Sequence, residues 1–260
     1  MHSPDLPKHG ELPQLAGALL ERLREKAPRV HCITNSVAQN FTANALLAAG
    51  CVPSMTLSPE EIGDFVSRSD ALLVNLGTFD RERREATEIA VENASEGKVP
   101  WVLDPVFVDR APGRADFARE LAARGPTVVR LNGLEFATLF GVQMNRDLLT
   151  AAAGANKVVL ALSGEIDLVS DGARVAAIGN GHPLMSKVTA MGCAASALIA
   201  ACLAVETDGW RAAASALMMI GVAGEMAAAK SAGPGSFAVA ILDALCALDG
   251  ATLVQRARVT

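Results

Sequence analysis

Trp101-Val102-Leu103-Asp104-Pro105 is a short apolar run closed by a carboxylate and a proline. Thr127-Val128-Val129-Arg130-Leu131-Asn132 repeats that design after a helix-like segment, Arg114–Arg124. Both runs are apolar on consecutive residues, which predicts strands buried on two faces. A strand, a helix and a second strand of this kind make the βαβ unit of a parallel sheet. Reading outward, the same texture predicts strands at Val30–Thr34, Val52–Thr56, Ala71–Leu76, Pro100–Asp104, Thr127–Leu131 and Val158–Leu162. Helical patterns fall between them at Ala38–Ala49, Pro59–Arg68, Arg81–Ser95 and Leu134–Phe140. Past Leu162 the texture changes. Ile166–Ser170 and Arg174–Ile178 flank the turn dipeptide Asp171-Gly172, the mark of a β-hairpin. The remainder reads as helix, over Ala190–Ala204, Trp210–Lys230 and Ser236–Leu248. The expectation is an α/β fold in one domain spanning residues 1–260. Its central, mostly parallel sheet is flanked by helices on both faces, and residues 1–12 form a flexible tail.

The 260 residues are 51% hydrophobic and 20% charged, which excludes a disordered chain. The net charge of −5 and the lack of a Lys/Arg cluster argue against a nucleic-acid partner. Cys32, Cys51, Cys193, Cys202 and Cys246 form no CxxC pair. They read as the reduced thiols of a cytoplasmic protein, not as disulfides or zinc ligands. Met1–Gly10 is polar, unlike a signal peptide. Val188–Val205 is uncharged but rich in alanine, with Thr189, Gly192 and Ser196 inside it. That composition fits a buried helix better than a bilayer span, so no membrane partner is expected.

No GxxxxGK(S/T) loop, complete GxGxxG, HExxH or GxSxG occurs, which sets aside Walker NTPases, Rossmann dehydrogenases, zincins and α/β-hydrolases. What remains is a helix start and a set of strand ends. Thr189-Ala190-Met191-Gly192-Cys193 opens the alanine-rich helix. Small residues there leave backbone N–H groups free to face an anion such as a phosphate. The same field would stabilise a Cys193 thiolate; a buried, inert cysteine is the plainer alternative. Asp104 ends one strand, and Arg130, Asn132 and Glu135 end the next, where open α/β sheets bind ligands. Asp104 and Glu135 can hold Mg²⁺ through oxygen ligands and water, or can cap helices. Asn35, in Ile33-Thr34-Asn35-Ser36-Val37, reads as the N-cap of the next helix. Ser163 marks another strand end, and Ser236 reads as a further cap. Cys193 paired with His182 or His31 would instead make a cysteine hydrolase.

Taken in order, certain stretches resemble the hydroxyethylthiazole kinase family, from about Pro28 to Arg258. They are His31-Cys32-Ile33-Thr34-Asn35, Asn40-Phe41-Thr42-Ala43-Asn44, Asn75-Leu76-Gly77-Thr78, Leu103-Asp104-Pro105-Val106, Lys187 to Cys193, and Gly233-Pro234-Gly235-Ser236-Phe237. The resemblance implies a ribokinase-like fold without a lid domain and a homotrimer with sites at subunit interfaces. It implies transfer of the γ-phosphoryl of ATP, with Mg²⁺, to the primary alcohol of 4-methyl-5-(2-hydroxyethyl)thiazole in thiamine biosynthesis.

By the same resemblance, Asn35, Val37, Met55 and Ala190 match substrate-binding positions. Arg130, Asn132, Ser163, Thr189 and Gly192 match ATP-binding positions, and Asp104 and Glu135 the acidic groups near the metal. Cys193 stands where related ribokinase-like enzymes place an aspartate that takes the alcohol proton. Three stretches depart from the family pattern. Phe107-Val108-Asp109-Arg110 replaces a small-residue turn, and Leu131 stands where a glycine is usual. The span between Phe140 and Lys157 is short, so the helix covering that edge, or part of the nucleotide rim, is expected to be missing. These departures point to two alternatives: a diverged kinase of another small heterocyclic alcohol, or a non-catalytic binding protein.

Overall fold

A computed structural model describes residues 11–260. The chain runs α1 (Leu12–Lys26), β1 (Arg29–Ile33), α2 (Gln39–Ala48), β2 (Val52–Ser54), α3 (Ile62–Ser67), β3 (Ala71–Asn75), α4 (Arg81–Gly97), β4 (Trp101–Asp104), α5 (Pro112–Ala122) and β5 (Val128–Asn132). It continues through α6 (Gly133–Phe140), α7 (Arg146–Asn156), β6 (Val159–Ser163), β7 (Asp167–Ser170), β8 (Val175–Ile178), α8 (Met191–Leu203), α9 (Gly209–Ala228), α10 (Pro234–Ala247) and α11 (Gly250–Arg256). The strands form one sheet in the order β2-β1-β3-β4-β5-β6-β7-β8. β2 to β6 are parallel, and the hairpin of β7 and β8 adds antiparallel.

Side chains alternate across a strand, so a continuous apolar run feeds two cores. Ala71 and Leu73 face one core, while Leu72 and Val74 face the other. The first core is covered by α1, α2, α8, α9, α10 and α11, and the second by α3 to α7. The crossover from β1 to β2 therefore runs on one face, through α2. The crossovers from β2 onward to β6 run on the opposite face. The sheet's switch point lies between β1 and β3, where open α/β sheets leave a crevice at the strand ends.

One expectation is corrected. The short span after Phe140 does hold a helix, α7, capped by Asn145, whose side chain accepts from the Leu148 N–H at 2.8 Å. Leu149 and Ala153 of α7 are buried against the second core, so that edge is covered. The tail expected over residues 1–12 falls, for residues 1–10, outside the described residues, and Leu12 already lies buried in α1. α1 itself went unforeseen, although Leu12, Ala16, Leu19, Leu20 and Leu23 form an apolar stripe at helical spacing.

His31 on β1 is wholly buried. Its Nε2 lies 3.1 Å from the Thr56 carbonyl oxygen and its Nδ1 2.8 Å from Ser54 Oγ. A carbonyl only accepts, so Nε2 carries the proton and the Ser54 hydroxyl donates to Nδ1. Burial lowers the imidazole pKa from 6.5 to about 4, against opposing pulls from the Thr56 carbonyl and Glu61. The folded protein thus resists protonation more than the unfolded chain does. Stability is fully present above pH 6.5 and falls as the pH drops toward 4. The full swing is about 3 kcal/mol. Urea midpoints at pH 7 and pH 4.5 should differ accordingly, and the difference should shrink in His31→Gln. An equal pH dependence in both proteins would contradict this account.

Candidate active site

The C-terminal ends of β3 and β4 are level, with Asn75 paired to Asp104. Asn132 and Ser163 are likewise paired across β5 and β6. Above these ends sits the N-terminus of α8. Every residue of α8 except Gly192 is buried. Its alanines let the helix lie close against the ends of β3 and β4.

α8 begins without a cap. Ala190 precedes it in a left-handed conformation (φ 69°), and no side chain reaches back to its first turn. The N–H groups of Met191, Gly192 and Cys193 find no acceptor among the described residues; the ladder starts with the Ala194 N–H on the Ala190 carbonyl. Side chains cap α4 (Asp80) and α6 (Asn132), while α1, α2, α3 and α5 also begin without one; α8 differs in that its first turn lines a cleft. An uncapped first turn facing a cleft is an anion site by construction.

Arg130 stands over it. A Cβ built on Gly192 would lie 2.8 Å from Arg130 Nη1, so a side chain there would displace the guanidinium from its place on the helix tip. Arg130 makes no ion pair among the described residues, and its Nε is buried without a partner. Its charge is available to a ligand.

Asp104 is buried beside them. Its Oδ2 accepts from Asn75 Nδ2 at 2.7 Å and from Ser196 Oγ at 2.8 Å, while its Oδ1 is buried with no partner. Burial raises its pKa, against the opposing pulls of Arg130, Ser196 and Asn75. Asp104 caps no helix. Glu135 does: Asn132 Oδ1 accepts from the Leu134 and Glu135 N–H groups, and Glu135 Oε2 accepts from the Asn132 N–H at 2.9 Å. Glu135 Oε1 accepts from the Phe107 N–H at 3.0 Å, clasping the turn after β4 in which Phe107 is left-handed (φ 58°). Burial and then the Asp104 charge raise the Glu135 pKa.

An oxygen-seeking dication fits this pair. Asp104 supplies an unpartnered buried oxygen, and both carboxyls are raised in a way that a cation would reverse. Among the described residues no third Asp, Glu, His or Cys completes a cluster. Phosphate oxygens and water would have to do so, as Mg²⁺ tolerates.

Cys193 Sγ receives Asn75 Nδ2 at 3.3 Å and Asn35 Nδ2 at 3.4 Å. Two sequence expectations change here. Asn35 does not cap α2, which starts after Ala38; its amide is turned to the thiol instead. The thiol is not acidified: burial and the Asp104 charge push it up to about 11, outweighing Arg130, Asn35 and Thr34. The hydrolase pairing also fails. His31 is held by Ser54 and Thr56, and His182 Nδ1 accepts from the Leu184 N–H.

A cleft of about 610 Å³ opens on one side of the α8 tip. Arg130, Ser163, Met191 and Gly192 line one part of it, and Gly179 to Pro183 another. Asn35, Val37 and Met55 do not line it. They follow β1 and β2, on the opposite side of the α8 tip in the strand order. Thr189 is exposed just outside the helix start. Asn132 has its oxygen committed to α6, leaving only Nδ2 for a ligand. Ser236 lies inside α10, accepting from the Ala232 and Gly233 N–H groups from its third position. Asn75 and Ser196 were not foreseen as site residues. Their signal was present: Asn75 ends a strand as Asp104 does, and Ser196 is a lone hydroxyl one turn after Cys193.

Residues 20–250 match the family model described as the hydroxyethylthiazole kinase family. The chain belongs to this family. It is 46% identical to the probable hydroxyethylthiazole kinase of Agrobacterium fabrum, over 96% of this chain and 97% of that one. It is 44% identical to the hydroxyethylthiazole kinase of Granulibacter bethesdensis, over 92% of each. The solved hydroxyethylthiazole kinase of Pyrococcus horikoshii superposes with a TM-score of 0.90 at 36% identity, covering 95% of this chain and 98% of that one. Staphylococcus aureus pyridoxal kinase, at 19% identity and a TM-score of 0.61 over 76% of this chain and 88% of that one, shares the fold. The ribokinase-like architecture expected from the resemblance is therefore the observed one.

Proposed function

We propose that this hydroxyethylthiazole kinase family member transfers the γ-phosphoryl of ATP to the primary alcohol of 4-methyl-5-(2-hydroxyethyl)thiazole, for thiamine biosynthesis. The observation that carries the chemistry is the uncapped α8 tip between the unpaired Arg130 and the buried Asp104. Free amides of Met191, Gly192 and Cys193 receive the migrating phosphoryl oxygens, and Arg130 neutralises the phosphates of the donor. ATP occupies the cleft past Gly192 and Ser163. The alcohol approaches from the opposite side, along Asn35, Val37, Met55 and Ala190, so donor and acceptor meet at Cys193. Asp104 and Glu135 would hold Mg²⁺, which when bound offsets charge on the phosphates.

Val37 is 71% exposed beside this acceptor side. A second subunit covering it is what a homotrimer with interfacial sites supplies. A cytoplasmic location completes the reading; among the described residues no single helix is long and apolar enough to cross a membrane.

Cys193 is protonated at neutral pH and is a poor base. In a loose phosphoryl-transfer transition state the alcohol proton is still largely in place, so orientation contributes more than base strength. Cys193→Ala should lower kcat about tenfold, well short of the 10²–10⁴ expected when a general base is lost. Complete loss of turnover with ATP binding intact would show that Cys193 reacts as a thiolate in the substrate complex and accepts the proton.

A coupled ADP-release assay across a panel of small heterocyclic alcohols tests the function. The thiazole alcohol should give the highest kcat/KM. Faster release with another alcohol reassigns the substrate, and thiazole binding without ADP release marks a binding protein.

A further inference from the structure

The far wall of the nucleotide cleft is built by a segment that the catalytic residues do not touch. β8 runs in the same sense as β6, so Gly179 to His182 emerge at the same sheet edge as Ser163. Three strand spacings separate β5, which carries Arg130, from β8, or about 14 Å. That suits a nucleotide with its phosphates at α8 and its nucleoside toward β8.

This wall has no strand or helix of its own; it is held from behind. α9 presents glycine where the wall approaches: a Cβ on Gly221 would lie 2.8 Å from both Cβ and the carbonyl oxygen of Asn180. One turn on, Glu225 Oε1 accepts from the Gly181 N–H at 3.0 Å and from Asn180 Nδ2 at 3.1 Å. The chain after α11 closes the arrangement. Val259 bridges to Ile178, and the Gly179 N–H donates to the Arg258 carbonyl at 2.8 Å. The Arg258 N–H donates to Asn180 Oδ1, and its guanidinium spans Glu225 and the Gly179 carbonyl. Asn180 is thus saturated from both sides, with its Nδ2 also reaching the Arg256 carbonyl.

We infer that Glu225 and Arg258 are positioning residues for the nucleotide: acting through Asn180, they fix the wall Gly179–His182 against which the nucleoside half of ATP lies. The inference rests on the kinase reading above. Neither residue lines the cleft, so the effect falls on nucleotide affinity and spares the chemical step.

Steady-state kinetics on Arg258→Ala and Glu225→Gln test it, with thermal midpoints recorded in parallel. Each should raise KM for ATP about tenfold, as loss of a charge-assisted hydrogen bond does, with kcat and KM for the alcohol changed less than about twofold. Arg258→Lys should recover most of the affinity. Gly221→Ala, which pushes the Asn180 backbone from the helix side, should raise KM for ATP by a second route. Unchanged KM for ATP in both Arg258→Ala and Glu225→Gln overturns the inference alone. A kcat loss matching a lowered thermal midpoint, with KM unchanged, also overturns it, in favour of a merely structural role. Failure of the unsubstituted protein to bind ADP by calorimetry overturns the kinase reading and this one with it.

Discussion

Asp104→Asn should lower kcat by about 10²- to 10³-fold, the range seen when a preorganised electrostatic group is removed from a transition state. The substitution is close to isosteric. Its amide oxygen can still accept from Asn75 and Ser196, so the α8 tip stays seated. What disappears is the negative charge, and with it the oxygen set expected to hold the cation. Stability should move the other way. Burial raises the Asp104 pKa, so keeping this carboxyl in the fold costs stability at neutral pH, a cost relieved as the pH falls. The thermal midpoint of the variant should equal or exceed that of the unsubstituted protein. Full activity, or a midpoint several degrees lower, would mean that Asp104 serves packing and not phosphoryl transfer.

Arg130→Ala should act on the other substrate. Its guanidinium is set above Gly192 with no carboxylate paired to it, so its stabilising partner is the ligand. Loss of charge-assisted contacts to phosphate of about 2 kcal/mol corresponds to roughly a 30-fold rise in KM for ATP. kcat should fall less, and KM for the alcohol, bound beyond Cys193, should hold. Arg130→Lys should restore only part of the affinity, since an ammonium lacks the planar fork. A variant with unchanged KM for ATP but a raised KM for the alcohol would reverse the orientation of the two substrates in the site.

The sheet was legible because its strands are apolar on consecutive residues and end in turn signals. β1 and β3 to β6 fall within a residue or two of the runs that predicted them. β2 is shorter than its run because, at the sheet edge, it pairs on one side only. The anion site was legible at Ala190–Cys193 through its small residues. The thiol's environment was not, because it depends on Asn35, Asn75 and Asp104, which arrive at or just past the ends of β1, β3 and β4. Local sequence read Asn35 as a cap, as its residue type favours, and the tertiary contact with Cys193 overrode that preference. Glu135 serving both α6 and Phe107, and the return of Arg258 to Asn180, are long-range contacts of the same kind.

Among the described residues, six non-glycine residues adopt positive φ. Ala27, Lys98 and Lys157 simply close helices. Thr78, Phe107 and Ala190 instead shape turns after β3, after β4 and before α8, all along one rim of the sheet. Such conformations are held in place at an energetic cost, typically 1–3 kcal/mol each. An engineer seeking thermostability would be drawn to relax them with glycine. That route loosens the scaffold where two reactants must be brought into line, so gains in heat tolerance made there would come with slower turnover.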